Sequence, residues 1–129
     1  LEGFTVQLAA RNASHDDLDR LAGLNEAMHV AIGEARFRDA MEHDFALHMT
    51  IAEIAGNRAI RDILALYRPI ITETQRPPVG EPQRLQEAFR EHGAILRALG
   101  RRDGETAAVA MRHHIEQSTD RMRVPFVAS

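Results

Sequence analysis

The stretch "DFALHMTIAEIAGN", residues 44–57, decides how the fold is interpreted, because it places two polar side chains on an apolar helical face. Asp44 and His48 are four residues apart, so on a helix they lie on the same side. The apolar residues on that side are Phe37, Met41, Ile51 and Ala55. Burying a carboxylate and an imidazole is costly unless both have partners. The stretch therefore predicts a helix whose buried face carries two polar side chains that need partners.

The first half of the chain predicts helices throughout, because good helix formers are plentiful and the β-branched alternation typical of strands is absent. We expect a short first helix that ends near Asn12. Ser14 is predicted to cap the second helix, with Asp17 three residues later completing the cap, and Gly33 suits the end of this helix. The third helix is expected over about 34–55.

The second half continues the same pattern. Gly56 is expected to end the third helix, and Asn57 to cap a fourth that kinks at Pro69. The segment 76–82, "RPPVGEP", is predicted to be a loop because it is rich in Pro and Gly. Two more helices are expected, one over the apolar positions 85–99 and one from about 105 to 125. The predicted fold is all-α, an antiparallel bundle of about six or seven helices.

The composition narrows the range of functions. A chain of 129 residues is expected to form one domain, and the absence of cysteine excludes disulfides and thiolate metal sites. The net charge of −3, with basic residues scattered along the chain, does not favour direct binding to nucleic acid. No apolar run approaches the length of a membrane span and no signal peptide is visible, so we expect a cytoplasmic location without membrane contact.

Two further histidines interrupt the apolar stripes of other predicted helices. His92 keeps the helical spacing of Phe89, and His114 keeps the spacing of Met111. The adjacent His113 is rotated by about 100° on the same helix and points away from the stripe. His92 and His114 are therefore predicted to face the interior.

Asp44, His48, His92 and His114 together are four potential metal ligands from three predicted helices. A divalent metal would satisfy all four buried groups, and one carboxylate with three imidazoles suits Zn, Ni, Mn or Fe. Spacing alone leaves open the alternative that these residues are hydrogen-bonded core residues. The remaining histidines are predicted to lie on the surface: His15, His29, His43 and His113.

Three segments carry a specific combination of motifs: "LEGFTVQLAAR" at 1–11, "DFALHMTIAEIAGN" at 44–57 and "EHGAILRALGRRDGETAAVAMRHHIE" at 91–116. Together they resemble the FadR-type C-terminal domain of GntR-family transcription regulators, and the resemblance covers nearly the whole chain. One departure is Leu47, which stands where the family usually has Phe before the first His. This exchange of apolar side chains is not expected to affect metal ligation.

The resemblance implies an all-α domain that binds a small effector and dimerises, while an upstream winged helix-turn-helix domain binds operator DNA. In the metal-containing branch of the family, an Asp and three His hold a divalent ion. Those positions correspond to Asp44, His48, His92 and His114, the four that the stripe spacing selects. We expect 1–129 to form the effector-binding and dimerisation domain of a homodimer, with the DNA-binding domain missing from this sequence.

The predicted function is the sensing of a small carboxylate by a domain that is not an enzyme. The effector would fill the open positions of a metal that has four protein ligands. Asn25, Tyr67 and Ser118 are predicted to line the effector pocket. The main alternative is a metalloenzyme whose three histidines and one aspartate support superoxide dismutation or hydrolysis. A structural helical module with inert histidines is a third possibility.

Overall fold

The computed structural model describes the backbone of residues 2–74 and 82–127 and the side chains within 3–66 and 82–121. In these ranges it contains six helices and no strand, which confirms the all-α prediction. The helices are α1 (Glu2–Asn12), α2 (His15–Gly33), α3 (Phe37–Ala55), α4 (Arg58–Thr74), α5 (Pro82–Gly100) and α6 (Gly104–Val127).

The start of α2 is fixed by a reciprocal cap. The Ser14 hydroxyl accepts a hydrogen bond from the Asp17 amide at 3.0 Å, and the Asp17 carboxylate accepts one from the Ser14 amide at 3.0 Å. Two of the otherwise unpaired amides at the helix start are thereby satisfied. The predicted cap is confirmed, and the first helix ends at Asn12 as expected.

Three helices end in the same way, with one residue in the left-handed backbone region. These residues are Ala35 (φ 58°), Gly56 (φ 75°) and Arg102 (φ 60°). After each of them the next amide bonds back to the last turn of the helix, for example from Arg36 to the Ala31 carbonyl at 2.8 Å. The ending at Ala35 is the reason why α3 begins at Phe37, three residues later than the sequence predicts.

The later helix boundaries follow side-chain caps. Asn57 Oδ1 accepts from the Ile60 amide at 3.1 Å and so caps α4, as predicted. Asp103 Oδ1 caps α6 by accepting from the Thr106 amide at 3.1 Å. The predicted loop falls almost entirely outside the described residues, and Pro82 is already the first residue of α5, a position that tolerates its missing N–H.

The packing places α3 and α5 at the centre of the bundle. The first helix, α1, packs against α3, α5 and α6, while α2 packs against α3 and α5. In the described ranges α4 contacts only α3. Because α2–α3 and α5–α6 are each joined by a short turn and packed side by side, each pair is an antiparallel hairpin.

Two apolar clusters form the interior. The larger, here called the major core, is built from α1, α2, α3, α5 and α6 and includes Leu47, Ile51, Ile95, Leu99 and Met111. The smaller, here called the minor core, consists of Met28, Ala31, Ile32, Ala40 and Ala88, with Leu85 and Phe89 against it. Asp44 on α3 and His92 on α5 each lie between residues of these two clusters.

Within residues 2–74 and 82–127, no helix is both long enough and apolar enough to cross a membrane.

Candidate metal centre

Four polar side chains from three helices meet between the two cores. Asp44 and His48 come from successive turns of α3, His92 comes from α5, and His114 comes from α6. Each residue offers one ligand atom, and these four atoms all lie within 4.8 Å of one another. The structure thus brings together the four residues that the sequence predicts as metal ligands.

Neighbouring apolar residues hold these side chains in place. Leu47 is 0% exposed and Ile51 is 1% exposed, so they anchor α3 in the major core and leave Asp44 and His48 on the face towards α5 and α6. On α5, His92 lies one turn after Ala88 of the minor core and one turn before Ile95 of the major core. On α6, His114 follows Met111 by one turn. The cluster is therefore fixed by rigid helices.

The distances within the cluster are short. Asp44 Oδ1 lies 2.8 Å from His92 Nε2 and 3.5 Å from His48 Nε2. His114 Nε2 lies 3.3 Å from His48 Nε2. The rings of His48 and His114 are stacked with 5.2 Å between their centroids, and His92 meets both of them edge-on. The Nε2 atoms of all three rings therefore point towards a common region beside Asp44.

The orientation of His92 is set by Asn25 of α2. The Asn25 amide nitrogen donates to the Phe89 carbonyl at 3.3 Å, so its oxygen Oδ1 faces His92 Nδ1 at 3.1 Å. An amide oxygen only accepts hydrogen bonds, so Nδ1 must carry the proton. In a neutral imidazole the other nitrogen, Nε2, then presents a lone pair. Asn25 thus holds His92 in the form that coordinates metals.

Asp44 and His92 approach each other closely inside the cluster. Their 2.8 Å separation is that of a hydrogen bond, yet Asp44 Oδ1 and His92 Nε2 are both buried without a hydrogen-bond partner among the described residues. Buried polar atoms without hydrogen-bond partners are rare in native proteins. A cation between the ligand atoms would give both atoms a partner.

His114 is supported by an ion pair. Its Nδ1 lies 2.7 Å from Glu91 Oε1. Arg121 donates to both Glu91 oxygens, at 2.7 and 2.8 Å, and also lies 3.3 Å from the Glu87 carboxylate. Arg121 and Glu91 are each 13% exposed, so this two-pronged contact is largely shielded from water.

The charge states of the ligands suit a cation. Burial opposes ionisation of Asp44, but the contacts with His48 and His92 outweigh it and hold the pKa of Asp44 well below its usual range. Burial lowers the pKa of His114 from 6.5 to about 4, and the nearby His48 and His92 act in the same direction. At neutral pH the carboxylate is therefore ionised and His114 is neutral, as metal ligation requires.

The structure describes the side chains of two of the three predicted effector residues, and both contact residues that support the cluster. Asn25 is 6% exposed and supports His92 from behind, away from the ligand atoms. Ser118 accepts a hydrogen bond from Arg121 at 3.3 Å and so borders the ion pair next to His114. The side chain of Tyr67 lies outside the described residues.

Three of the other four histidines are exposed. His15, His29 and His113 are exposed, as predicted, and the ring of His29 stacks on Phe89 with 4.4 Å between centroids. His43 is half-buried, so the surface prediction holds for it only in part. It points away from the cluster, because it precedes Asp44 by one residue on α3.

Sequence reasoning missed two residues that contact the cluster, Glu91 and Arg121. Glu91 directly precedes His92 in "EHGAIL", and Arg121 follows His114 by two helical turns. The sequence shows where Glu91 and Arg121 lie relative to these histidines. Their pairing joins α5 to α6 across the bundle, and helical periodicity does not predict such a pairing.

A metal ion fits this donor set. Atoms that share one ion at about 2.1 Å lie no more than about 4.2 Å apart, so the cluster would close by roughly half an ångström at its widest separation. Asp44 Oδ1 and His92 Nε2, which are buried without hydrogen-bond partners among the described residues, would be available to such an ion. Fold and site together define a helical-bundle domain with an internal cluster of potential metal ligands.

A comparison with models of protein families identifies the family of the chain. A family model described as the FCD domain matches residues 1–117, so the chain belongs to the FCD domain family. The predicted relation to the C-terminal domain of GntR-family regulators is thereby confirmed. No curated protein sequence matches the chain.

Solved structures with the same fold include two regulators. The chain is similar to E. coli McbR/YncC, with a TM-score of 0.85 and 17% identity, over 96% of this chain and 63% of that one. It is also similar to Streptococcus agalactiae GntR, with a TM-score of 0.71 and 22% identity, over 92% of this chain and 52% of that one. The chain thus spans less than two thirds of both proteins, and at these identities the likeness concerns the fold.

Proposed function

We propose that the chain is the metal-dependent sensing and dimerisation domain of a GntR/FadR-type transcription regulator that responds to a small organic acid. The observation that carries this proposal is the 2.8 Å approach of Asp44 Oδ1 to His92 Nε2, two buried polar atoms without hydrogen-bond partners among the described residues. His48 and His114 bring two further nitrogen atoms to the same region. A divalent cation is the partner that satisfies this donor set.

The four ligand candidates suit Zn, Ni, Mn or Fe, because these ions accept imidazole nitrogen together with carboxylate oxygen. When bound, such an ion supplies positive charge and open coordination positions that attract the oxygens of a carboxylate. The protein's own residues prepare the site for it. Asn25 orients His92, and the helical spacing of Asp44 and His48 presents both to the same region.

The exposure of the ligands indicates a direction of approach. The side chains of His92 and His114 are 0% and 4% exposed, whereas those of His48 and Asp44 are 14% and 30% exposed. The cluster is therefore closed on the side of α5 and α6 and accessible beside α3. We place the entry of the organic acid on the α3 side.

A sensing role suits the site better than an enzymatic one. Hydrolysis or proton transfer needs a base that is free to act on the substrate. Asn25 is engaged by Phe89 and His92, and Glu91 is engaged by Arg121 and His114. The polar groups that support the ligand histidines are thus used for orientation, which favours the binding of an effector over turnover.

The complete protein would act as a homodimer in the cytoplasm and bind operator DNA through an upstream winged helix-turn-helix domain. The effector would regulate DNA binding only if it prefers one arrangement of the bundle over another. In a dimer, this preference would change the relative placement of the two DNA-binding domains, and the coupling would be reciprocal.

Metal content is the first test. The protein is purified without a metal-affinity column, and elemental analysis is expected to find about one divalent ion per chain, as four ligands on one centre require. Absence of metal, together with no rise in Tm after addition of Zn or Ni, would overturn the proposal.

The effector is tested by a thermal-shift screen of organic acids. An acid that binds the metal-loaded domain raises its Tm. The methyl ester of the same acid serves as the matched control because it lacks the free carboxylate, and it is expected to have no effect. The stabilisation should disappear after chelation. A shift that persists in the metal-free protein would separate effector binding from the metal.

A further inference from the structure

The support of His114 differs in kind from that of His92. Behind His92 stands the neutral amide of Asn25, with Oδ1 3.1 Å from Nδ1. Behind His114 stands the Glu91 carboxylate, with Oε1 2.7 Å from Nδ1. Glu91 is not one of the four ligand candidates, and its carboxylate is held by two hydrogen bonds from Arg121.

The protonation pattern of His114 follows from these contacts. A carboxylate that receives two hydrogen bonds from a guanidinium is ionised and can only accept. The His114 Nδ1 atom must therefore donate to Glu91, and the neutral ring presents a lone pair at Nε2. That Nε2 atom lies inside the cluster, 3.3 Å from His48 Nε2.

We infer that Glu91, clamped by Arg121, is the positioning residue that fixes His114 as an Nε2 ligand of the metal. The inference rests on the proposed metal-dependent function and adds to it a carboxylate–histidine support that spans α5 and α6. An ionised acceptor behind an imidazole makes the opposite nitrogen a stronger donor than a neutral acceptor does. Glu91 therefore strengthens metal binding as well as fixing the ring.

The metal affinity of matched variants tests this role. In Glu91→Ala the affinity, measured by competition with a chelator, is expected to fall by roughly 10- to 100-fold, the usual effect of removing such a support. Glu87→Ala is the control, because Glu87 lies one turn earlier on α5 and also contacts Arg121, at 3.3 Å. It should bind metal as the wild type does. Equal affinities in both variants would overturn the inference.

The tautomer of His114 distinguishes positioning of its ring by Glu91 from a purely structural role of Glu91, because a structural role would leave the tautomer unchanged. Nitrogen-15 NMR of the metal-free wild type is expected to show the proton of His114 on Nδ1. Glu91→Ala should lose this preference, whereas Glu91→Gln, whose amide oxygen can still accept, should retain it with an intermediate metal affinity. A wild-type His114 with its proton on Nε2 would overturn the inference.

The two proposals fail in distinguishable ways. A wild-type protein that binds no metal overturns the proposed function, and the tautomer, measured without metal, then decides only whether Glu91 fixes the proton of His114 on Nδ1. Normal metal binding with no effect of Glu91→Ala overturns the inference alone. If Glu91→Ala does not fold, Arg121→Lys replaces it, since this variant keeps the charge but loses the two-pronged contact with Glu91. A smaller loss of metal affinity is then expected, and an unchanged affinity would contradict the inference.

Discussion

The major core and the cluster of Asp44, His48, His92 and His114 both use residues of α3, α5 and α6, but the core is apolar and the cluster is polar. Leu99 of the major core is fully buried among apolar neighbours, so its burial is favourable without any further partner. Two turns earlier on α5, His92 is equally buried but faces the bare oxygen of Asp44. The comparison teaches that the core provides stability from the chain alone, whereas the cluster leaves two buried polar atoms without hydrogen-bond partners, which the proposed cation would supply.

This difference separates two properties of the molecule. Changes in the major core should lower the stability of the fold and leave the affinity for metal in the folded protein intact. Changes behind the ligands should lower the affinity for metal and have smaller effects on the core. The following predictions test this separation, from the largest expected effect to the smallest.

Leu99→Ala is expected to lower the free energy of unfolding by about 2–5 kcal/mol, because it removes buried methyl groups and leaves a cavity. Urea denaturation of the metal-free protein measures this loss. The metal affinity of the folded variant should equal that of the wild type, since Leu99 lies two turns from His92 along α5. A parallel fall in metal affinity would show that core and cluster are not separable.

Lowering the pH should reduce the free energy of unfolding of the metal-free protein, because His114 in the cluster has a lowered pKa. Because the pKa of His114 is about 4 in the folded protein and 6.5 otherwise, the unfolded chain binds more protons between these values. The free energy of unfolding is therefore expected to fall by on the order of 3 kcal/mol as the pH drops from about 6.5 to 4. The lowered pKa of Asp44 extends this loss to still lower pH.

Denaturation curves recorded across this pH range check the prediction. The matched variant is His114→Ala, which should show a shallower decline over the same range because its titrating group is absent. A wild type whose stability is constant between pH 6.5 and pH 4 would contradict the account of a neutral, buried His114.

Asn25→Ala is expected to weaken metal binding by roughly 10- to 100-fold, because His92 loses the acceptor that fixes its tautomer. Calorimetric titration of the metal-free protein measures the change. Glu26→Ala, at the exposed neighbouring position on α2, is the control and should bind metal normally. An unchanged affinity in Asn25→Ala would remove the argument that His92 presents a bare Nε2.

Ala35→Gly should raise the stability by about 0.5–1 kcal/mol, because glycine adopts a positive φ without the strain that a Cβ introduces. Its Tm should rise slightly while its metal affinity stays constant, as Ala35 lies in the turn between α2 and α3. The opposite exchange, Gly56→Ala at φ 75°, should lower the Tm. A change of metal affinity in Ala35→Gly would contradict the separation.

Much of the fold was accessible from the sequence because its signals are local. The Ser14 cap, the Gly56 ending and the inward spacing of Asp44 and His48 depend on residues within one or two turns of one another. The end of α2 at Gly33 was predicted, but the start of α3 at Phe37 was not, because the left-handed position of the intervening turn is occupied by Ala35 rather than by the glycine that usually marks it.

The candidate site was predictable only as far as helical periodicity reaches. Spacing places His92 and His114 on inner faces, but it does not say which atom each ring presents. That detail depends on Asn25 and Glu91, which reach the rings across helix boundaries. Asn25 was predicted to line an effector pocket, and its position behind His92 shows how a buried polar residue on a stripe also supports a neighbouring ligand.

The most direct test compares two adjacent histidines of α6, one buried in the cluster and one exposed. Metal-free wild type, His114→Ala and His113→Ala are each titrated with Zn under identical conditions. The account predicts that the wild type and His113→Ala bind about one ion per chain with the same affinity, and that His114→Ala binds at least roughly 100-fold more weakly. Equal affinities in the two variants, or no binding by the wild type, would contradict it.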